Sequence, residues 1–266
     1  MTTALPPLPL DGDAALLRVR PVDGDADEVV AVEMPIALTV NGISQAVMLG
    51  TPLDLEDFAL GFALSEGWLA HAGELLDVDI DDSRADGIEL ALRITAAREQ
   101  GLKLRRRQLA GRTGCGLCGL ESLADFHALR PARLAPPTLP HGALARAAAA
   151  LPQAQQLNAR CGGLHAAAWC AVDGTLQFVR EDIGRHNALD KLIGARARAI
   201  RGGAAAEGFV MMSSRASHEL VHKAAMAGIG VLACVSAPSS LAIATAQGLG
   251  VQLWAFVREA RATRYA

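Results

Sequence analysis

The sequence predicts an α/β protein that consists of a smaller N-terminal α+β domain and a C-terminal three-layer α/β domain. Near the N-terminus, short strand patterns flank Asn41-Gly42, a two-residue signal for an antiparallel hairpin. From residue 141 onward, apolar runs alternate with helical segments, as in a sheet covered by helices on both faces. We therefore expect domains over 28–110 and 141–266, a flexible tail over 1–27, and a proline-interrupted connection over 111–140.

Composition indicates an ordered globular protein. Of 266 residues, 51% are hydrophobic, 20% are charged and only 4% are aromatic, so the core is mostly aliphatic. The net charge of −3 gives no sign of a protein that coats nucleic acid or a membrane surface. No apolar run approaches the ~18 residues of a spanning helix. The N-terminus lacks a secretory signal and the five cysteines are an odd number, so we expect a cytoplasmic protein with reduced thiols.

The N-terminal elements follow in order from local patterns. Residues 1 to about 25 are rich in Pro, Gly and Asp and are expected to form a mobile tail or a loosely attached strand. Thr51 is the expected N-cap of a helix over 52–64, with Pro52 at its first position. The predicted strands lie over 29–34, 36–40, 43–49 and, from apolar alternation, 88–94.

In the C-terminal domain the predicted elements alternate regularly. Ser236 is the expected N-cap of the last helix. Helices are predicted over 142–151, 187–200, 217–226 and 238–248, and strands over 164–172, 176–179, 208–212, 230–235 and 251–257. Ligands in such domains gather at the carboxyl ends of strands. We therefore expect a binding site among 180–187, 213–217, 236–240 and 258–264.

The segment around Cys115 and Cys118 carries the most specific chemical signal. A metal site would need further ligands besides these two cysteines, and the other cysteines of the chain stand singly. A thioredoxin-like dithiol would need a helix at this point, and the surrounding glycines disfavour a helix. A sulfur carrier benefits from such a flexible loop. The remaining interpretation is that the two thiols are an incidental pair without a function. A run of basic residues before the two cysteines favours their thiolate form. The same run of basic residues is also compatible with a solvated loop or strand end. These cations are Lys103, Arg105, Arg106, Arg107 and Arg112.

Several polar loops could hold an anion. Residues 180–187 mix both charge signs with His186, and serve either as a capping loop or as a functional one. Residues 213–217 leave a strand for a helix with hydroxyls and an arginine that suit a phosphate. His165 opens a buried strand and is either a core residue or a ligand contact. Together with arginines at the end of the last strand, these loops suggest a large phosphorylated ligand such as a nucleotide-containing cofactor.

Six blocks of the sequence resemble the signature blocks of the formate dehydrogenase accessory sulfurtransferase family, FdhD. The resemblance runs from about residue 28 to the C-terminus, with the blocks in one order. They are residues 41–44, 110–119, 181–191, 213–217, 236–242 and 256–261.

This resemblance implies a sulfur carrier. It would accept sulfur from a cysteine desulfurase as a persulfide and deliver it to the molybdenum cofactor, Mo-bis-molybdopterin guanine dinucleotide, before insertion into formate dehydrogenase. By motif match Cys115 is the persulfide cysteine and Cys118 its partner. The resemblance also implies a homodimer without a structural metal and a second domain similar to the cytidine deaminase fold. The matching cofactor-binding segment is Phe256, Val257, Arg258, Glu259, Ala260 and Arg261.

The sequence lacks the zinc-ligand motifs that a deaminase activity requires. Zinc deaminases need His-x-Glu and later Pro-Cys-x-x-Cys. This chain has His218-Glu219 without a spacer, and Pro238 is followed by Ser239, not by cysteine. Two other functions stay open beside sulfur transfer: a chaperone that binds the molybdenum cofactor without moving sulfur, and a dithiol oxidoreductase.

Overall fold

The computed structural model describes residues 14–22, 26–84, 86–108, 131–258 and 261–266, with 103–108 described by their backbone. Two sheets and one short hairpin make up its β-structure. The hairpin pairs β1 (Leu16–Val19) with β2 (Glu28–Ala31) in antiparallel register. Residues 16–19 are therefore a paired strand, one of the two alternatives predicted for this region, and not part of a tail.

A four-stranded sheet forms the N-terminal part, in the order β4-β3-β6-β5. At the predicted hairpin Asn41 and Gly42 have φ values of 46° and 78°, the left-handed conformation that a type I′ turn requires. The side chains that alternate onto one face, such as Ile36, Leu38 and Leu90, are fully buried. The strands are β3 (Met34–Val40), β4 (Ile43–Gly50), β5 (Leu75–Asp81) and β6 (Ile88–Ile94).

The helix α1 (Leu55–Ser65) packs its apolar side on this sheet and begins later than predicted. Thr51 does not cap it, because Asp54, with φ 54°, precedes the first helical residue. Thr51 is instead buried, and its backbone N–H donates to Asp182 at 3.0 Å. The predicted cap and the predicted first position at Pro52 are therefore wrong.

The helix α2 (Ala96–Gln108) follows β6 and was not predicted. It includes the backbone of Lys103, Arg105, Arg106 and Arg107, so this part of the basic run is neither a loop nor a strand end. Arg112 lies outside the described residues.

A six-stranded sheet forms the C-terminal part, in the order β12-β11-β10-β9-β7-β8. Its central strands β9, β10 and β11 are parallel, whereas β7, β8 and β12 join antiparallel. The last part of β8 and all of β12 were not predicted. The strands are β7 (His165–Cys170), β8 (Leu176–Asp182), β9 (Phe209–Met212), β10 (Val231–Cys234), β11 (Gln252–Arg258) and β12 (Arg261–Arg264).

Helices cover both faces of this sheet, which confirms the predicted three-layer α/β class. Alternate residues of each strand point to opposite faces. Ala166 and Ala168 accordingly lie in one core cluster with α3, and Ala167 and Trp169 lie in another with α5, α6 and α7. The helices are α3 (Ala143–Ala154), the short α4 (Asn158–Cys161), α5 (Arg185–Arg201), α6 (His218–Met226) and α7 (Ser240–Leu249).

The starts of α6 and α7 follow the capping rule, although neither of the two capping serines was predicted as a cap. Ser217 caps α6, as its hydroxyl oxygen accepts from the backbone N–H of Leu220. In α7 the cap is Ser239, which accepts from Ala242, and the prediction of Ser236 is wrong. The backbone carbonyl of Ser236 instead accepts from Phe256 at the end of β11.

The N-terminal sheet and the C-terminal domain meet where α1 crosses α5. A methyl group at Gly61 would overlap the carbonyl oxygen of Asp190, and one at Gly194 would overlap that of Asp57. The two helices therefore touch backbone to backbone at reciprocal glycines. The predicted division into domains at residues 110 and 141 stays a prediction.

Candidate functional site

The strands β9, β10 and β11 run parallel and end side by side, so the loops in which a binding site was predicted lie along one edge of the C-terminal sheet. Backbone hydrogen bonds tie the loops that follow them into one continuous rim. Ala216 donates to Ala237 at 3.1 Å, Ser239 donates to Ala216 at 3.0 Å, and Phe256 donates to Ser236 at 3.2 Å. We call residues 183–186, 213–219, 235–239 and 256–258 the carboxyl edge.

Two charged side chains of the motif at 180–187, Arg180 and Glu181, contact other elements of the fold and not the carboxyl edge. Arg180 turns to the N-terminal helix and donates to Asp57 at 2.7 and 2.9 Å. The carboxylate of Glu181 accepts from the backbone N–H groups of Leu157 and Asn158, both at 2.9 Å, and so caps α4. The side chains of Arg180 and Glu181 are therefore engaged within the fold and do not face a ligand at the carboxyl edge.

Asp182 lies at the centre of a buried polar cluster. It is fully buried and forms an ion pair of 2.7 Å with the equally buried Lys191. Its carboxylate also accepts from Gly184 N–H at 2.8 Å and from the side-chain amide of Asn187 at 3.1 Å. Since a buried charge needs such a full set of partners, this cluster is structural. It fixes the loop that leads into α5.

The serines of the predicted phosphate loop are largely engaged as well. The hydroxyl oxygen of Ser213 accepts from Ala166 N–H at 2.8 Å, which extends the pairing of β7 and β9. Ser214 is buried and donates to the carbonyl of Arg215 at 3.1 Å. Ser217 caps α6. Arg215 itself is exposed and is the side chain of this loop that stays available to an anion.

Arg185 and His186, on the first turn of α5, are the two side chains of the motif that lie at the carboxyl edge. Nε2 of His186 lies 2.6 Å from the carboxylate of Glu219, which sits on the first turn of α6. The hydroxyl of Ser217 lies 3.4 Å from the same nitrogen. Burial lowers the pKa of His186 to about 4, although Glu219 opposes this shift. The imidazole is therefore neutral near pH 7.

His165 lies at the same edge, because β7 starts where β8 ends and His165 pairs with Asp182. Its side chain is half-buried. Burial, and next the charge of Arg185, lower its pKa. The structure thus brings together His165, Arg185 and His186, to which the sequence assigned no role.

The predicted cofactor segment contains a local irregularity in β11. Phe256 has φ 51°, an uncommon conformation for a bulky residue, and the register with β12 shifts there. Leu253 and Val257 would share one face of a regular strand, yet they lie in opposite core clusters. Backbone strain of this kind concentrates at functional sites. No sequence signal marked it.

The side chains of this segment divide into two groups. Val257 is fully buried in the core, so its side chain is not available to a ligand. Arg258 and Arg261 are exposed, and the guanidinium of Arg261 lies 5.1 Å from the Phe256 ring in a cation–π arrangement. The predicted contacts Glu259 and Ala260 lie outside the described residues.

Cys115 and Cys118, the predicted sulfur-carrying cysteines, also lie outside the described residues. The described cysteines differ in character. Burial raises the pKa of both the Cys170 and the Cys234 thiols to about 12, so neither supplies a thiolate near neutral pH. Cys161 is only partly buried, at the end of α4.

The described ranges contain neither a membrane-spanning helix nor a group of three or more metal-ligating side chains. No helix there has the length and apolar character to cross a membrane. Within the same part of the chain, no three His, Cys, Asp or Glu side chains cluster in a way that could hold a metal ion.

Comparison with known proteins decides the family. The family model for FdhD/NarQ matches residues 31–266. The chain belongs to the FdhD/NarQ family. Among its relatives, the sulfur carrier protein FdhD of Chromobacterium violaceum is 49% identical over 96% of this chain and 95% of its own length. The sulfur carrier protein FdhD of Variovorax paradoxus is 50% identical over 93% and 89%, respectively.

A solved structure supports the fold. The formate dehydrogenase accessory protein from Desulfotalea psychrophila superposes with a TM-score of 0.70 and covers 94% of each chain, at 24% sequence identity. Membership of the FdhD/NarQ family confirms the resemblance drawn from the six sequence blocks.

Proposed function

We propose that this chain is a sulfur carrier, a sulfurtransferase that serves formate dehydrogenase. The observation that carries the proposal is close similarity, about half of all residues over nearly the whole chain, to proteins named sulfur carrier protein FdhD. The Cys115–Cys118 pair supplies the chemistry that such a carrier needs. Cys170 and Cys234 do not compete for that role, because burial keeps their thiols protonated.

Sulfur would enter on Cys115. The Cys115 thiolate attacks the terminal sulfur of a persulfide on a cysteine desulfurase, a new S–S bond forms at Cys115, and the donor S–S bond breaks. The donor cysteine leaves as a thiolate, so no external oxidant or reductant is needed. The basic residues that precede the pair, including Arg106, Arg107 and Arg112, favour the attacking thiolate.

The recipient would be the molybdenum cofactor, Mo-bis-molybdopterin guanine dinucleotide, bound as a substrate before its insertion into formate dehydrogenase. The carboxyl edge supports this part of the proposal. Three helices, α5, α6 and α7, start beside it, and their N-termini favour phosphate groups. Arg258 and Arg261 are exposed next to the strained Phe256 and could pair with a diphosphate. We further propose a cytoplasmic homodimer.

Mass spectrometry tests the sulfur step directly. After incubation with a desulfurase and free cysteine, the intact mass should increase by one sulfur atom, with the added sulfur mapped to Cys115. Cys115→Ala should abolish the gain, whereas Cys170→Ala should retain it. A Cys115→Ala variant that still supports formate dehydrogenase maturation at the wild-type level would refute the sulfur-transfer function, and guanine-nucleotide binding by that variant would then indicate a chaperone.

A further inference from the structure

Two histidines of α6 lie one helical turn apart, because residues 218–222 read His-Glu-Leu-Val-His. Residues four positions apart share one face of a helix, so the His218 and His222 side chains lie on the same side of α6. Their ring centroids are 5.9 Å apart, with 30° between the ring planes. The pattern His-Glu-x-x-His on a helix is one with which zinc enzymes hold their metal ion. Sequence and geometry therefore both indicate a metal-binding face, which we call the histidine pair.

A chain of hydrogen bonds fixes the position of the proton on His218. The hydroxyl of Thr245 on α7 donates to the carbonyl of Leu241 at 2.7 Å, and this bond uses its single hydrogen. Nδ1 of His218 lies 2.7 Å from the same hydroxyl oxygen, so Nδ1 carries a hydrogen and donates it. Nε2 of His218 consequently keeps its lone pair, which is the form that binds a metal ion. Metal-ligating histidines are typically oriented through their other ring nitrogen in this way.

The distance between the two rings suits one shared ion. Imidazole nitrogen binds zinc at about 2.0–2.1 Å, so two rings on one tetrahedral ion have centroids roughly 5 Å apart. The observed separation of 5.9 Å differs from this by roughly 1 Å, which a small side-chain rotation of His222 supplies. Both histidines are half-buried and not enclosed in the core. The pair is therefore close to a chelating geometry before any ion binds.

We propose that His218 and His222 bind a divalent transition-metal ion, with Thr245 as the positioning residue. Imidazole ligands suit Zn²⁺, Ni²⁺ and Cu²⁺, whereas Mg²⁺ and Ca²⁺ take oxygen ligands. Water completes the coordination, since no third His, Cys, Asp or Glu side chain joins the pair within the residues that the structure describes. The proposal does not depend on the sulfur-carrier function.

The histidine pair is a binding site and not the centre of a metallopeptidase. In such an enzyme the glutamate of the motif acts as general base, and a third protein ligand holds the zinc. Here the carboxylate of Glu219 lies 2.6 Å from Nε2 of His186, on the neighbouring helix α5. Glu219 is thus engaged by another side chain, and we assign metal binding without a hydrolytic step.

Calorimetric titration with Zn²⁺ of the full-length protein, prepared without a polyhistidine tag, tests the proposal. The background protein carries Cys115→Ala and Cys118→Ala, because these thiols would themselves take up zinc. We expect one zinc ion per chain in this background and no binding of Mg²⁺ at the same concentration. In that background, His218→Gln and His222→Gln should each weaken zinc binding by at least about tenfold.

Two further variants separate the ligands from their surroundings. Thr245→Val keeps the shape of the side chain and removes the hydroxyl, so zinc affinity should fall about 10–100-fold, as for other outer-shell partners of metal-bound histidines. His71→Gln is the matched control, because His71 lies on an exposed surface and faces Glu74 at 3.8 Å. This control should leave zinc affinity unchanged.

Thermal melts distinguish loss of the metal site from loss of the fold. Zn²⁺ should raise the melting temperature of the background protein but not that of His218→Gln, because an ion that binds only the folded state stabilises it. His222→Gln leaves the contact with Thr245 intact and gives the same test if His218→Gln does not fold. Absence of zinc binding to the background protein, or unchanged affinity in both folded histidine variants, would overturn the proposal. Unchanged affinity in Thr245→Val would overturn the positioning role of Thr245.

Discussion

Replacement of Lys223 by methionine tests whether buried charges hold the N-terminal helix against the C-terminal domain. The ammonium group of Lys223 lies 3.0 and 3.1 Å from the carboxylate of Asp190, which is fully buried. It also donates to Ser65 at 3.0 Å and to Glu66 at 2.8 Å, both at the end of α1. Methionine keeps the apolar length of the side chain and removes the charge.

The expected cost follows from what the substitution leaves behind. Asp190 would retain the Ser65 hydroxyl, at 2.6 Å, but no cation. An uncompensated buried charge typically costs about 3–5 kcal/mol of unfolding free energy. We therefore expect Lys223→Met to lose up to about that amount, with the full loss at pH values where Asp190 is ionised in the variant.

The pH dependence of this loss is a second readout. Burial raises the pKa of Asp190 from 3.8 to about 6 despite Lys223, so the folded state takes up a proton more readily than the unfolded state. Stability that depends on this group is therefore present at low pH and is lost as pH rises through the folded pKa. Without Lys223 the folded pKa rises further. The deficit of the variant should be largest above neutral pH and shrink towards about pH 5.

Urea unfolding followed by circular dichroism measures both effects. Arg84→Met is the control, because Arg84 pairs with Asp86 at 3.1 Å between largely exposed side chains, and its replacement should leave stability almost unchanged. A loss below about 1 kcal/mol for Lys223→Met, or a deficit that does not vary with pH, would refute the reasoning.

Three further predictions use other parts of the structure. Gly194→Ala should destabilise the protein by several kcal/mol in thermal or urea unfolding, because the added methyl group meets a backbone carbonyl of α1. The control Gly248→Ala places its methyl group in open space and should stabilise α7 by up to about 1 kcal/mol. Iodoacetamide should label Cys161 in the folded protein but reach Cys170 only on unfolding, as mass spectrometry of peptides would show. The stability of the wild type relative to His186→Gln should fall as pH drops from about 6.5 to 4, because the pKa of His186 is depressed in the folded state; comparing the two proteins removes the opposite contribution of Asp190, which both retain.

Local signals predicted the elements well wherever tertiary contacts did not compete with them. The Asn41-Gly42 turn and the helix predicted over 217–226 depend on neighbouring residues, and both lie where predicted, the helix to within one residue. The strand β5 was missed because three aspartates occupy its seven residues, and aspartate is depleted in strands. Its carboxylates alternate onto the exposed side, a pattern that only the finished sheet explains.

The failed predictions at Thr51 and Ser236 share one physical cause. Both residues are good caps by type, but each is engaged by a segment distant in sequence, Thr51 by Asp182 and Ser236 by Phe256. The same limit applies to the site. The sequence located the charged motif at the correct edge, yet could not tell that Arg180 and Glu181 turn away from it, because their partners lie on other elements.

The end of the N-terminal sheet fixes the position of the segment that carries Arg185 and His186. At the end of β4, the carbonyl of Leu49 accepts from Asn187 at 2.7 Å and that of Thr51 accepts from Lys191 at 2.9 Å. The Thr51 hydroxyl also accepts from Ile183 N–H, directly before α5. The first turn of α5 is thus fixed from the N-terminal side by one buried and two part-buried hydrogen bonds, and bonds shielded from water in this way are costly to break. The position of the carboxyl edge therefore depends on the docking of the N-terminal sheet, and the reciprocal glycines of α1 and α5 are part of the site's construction.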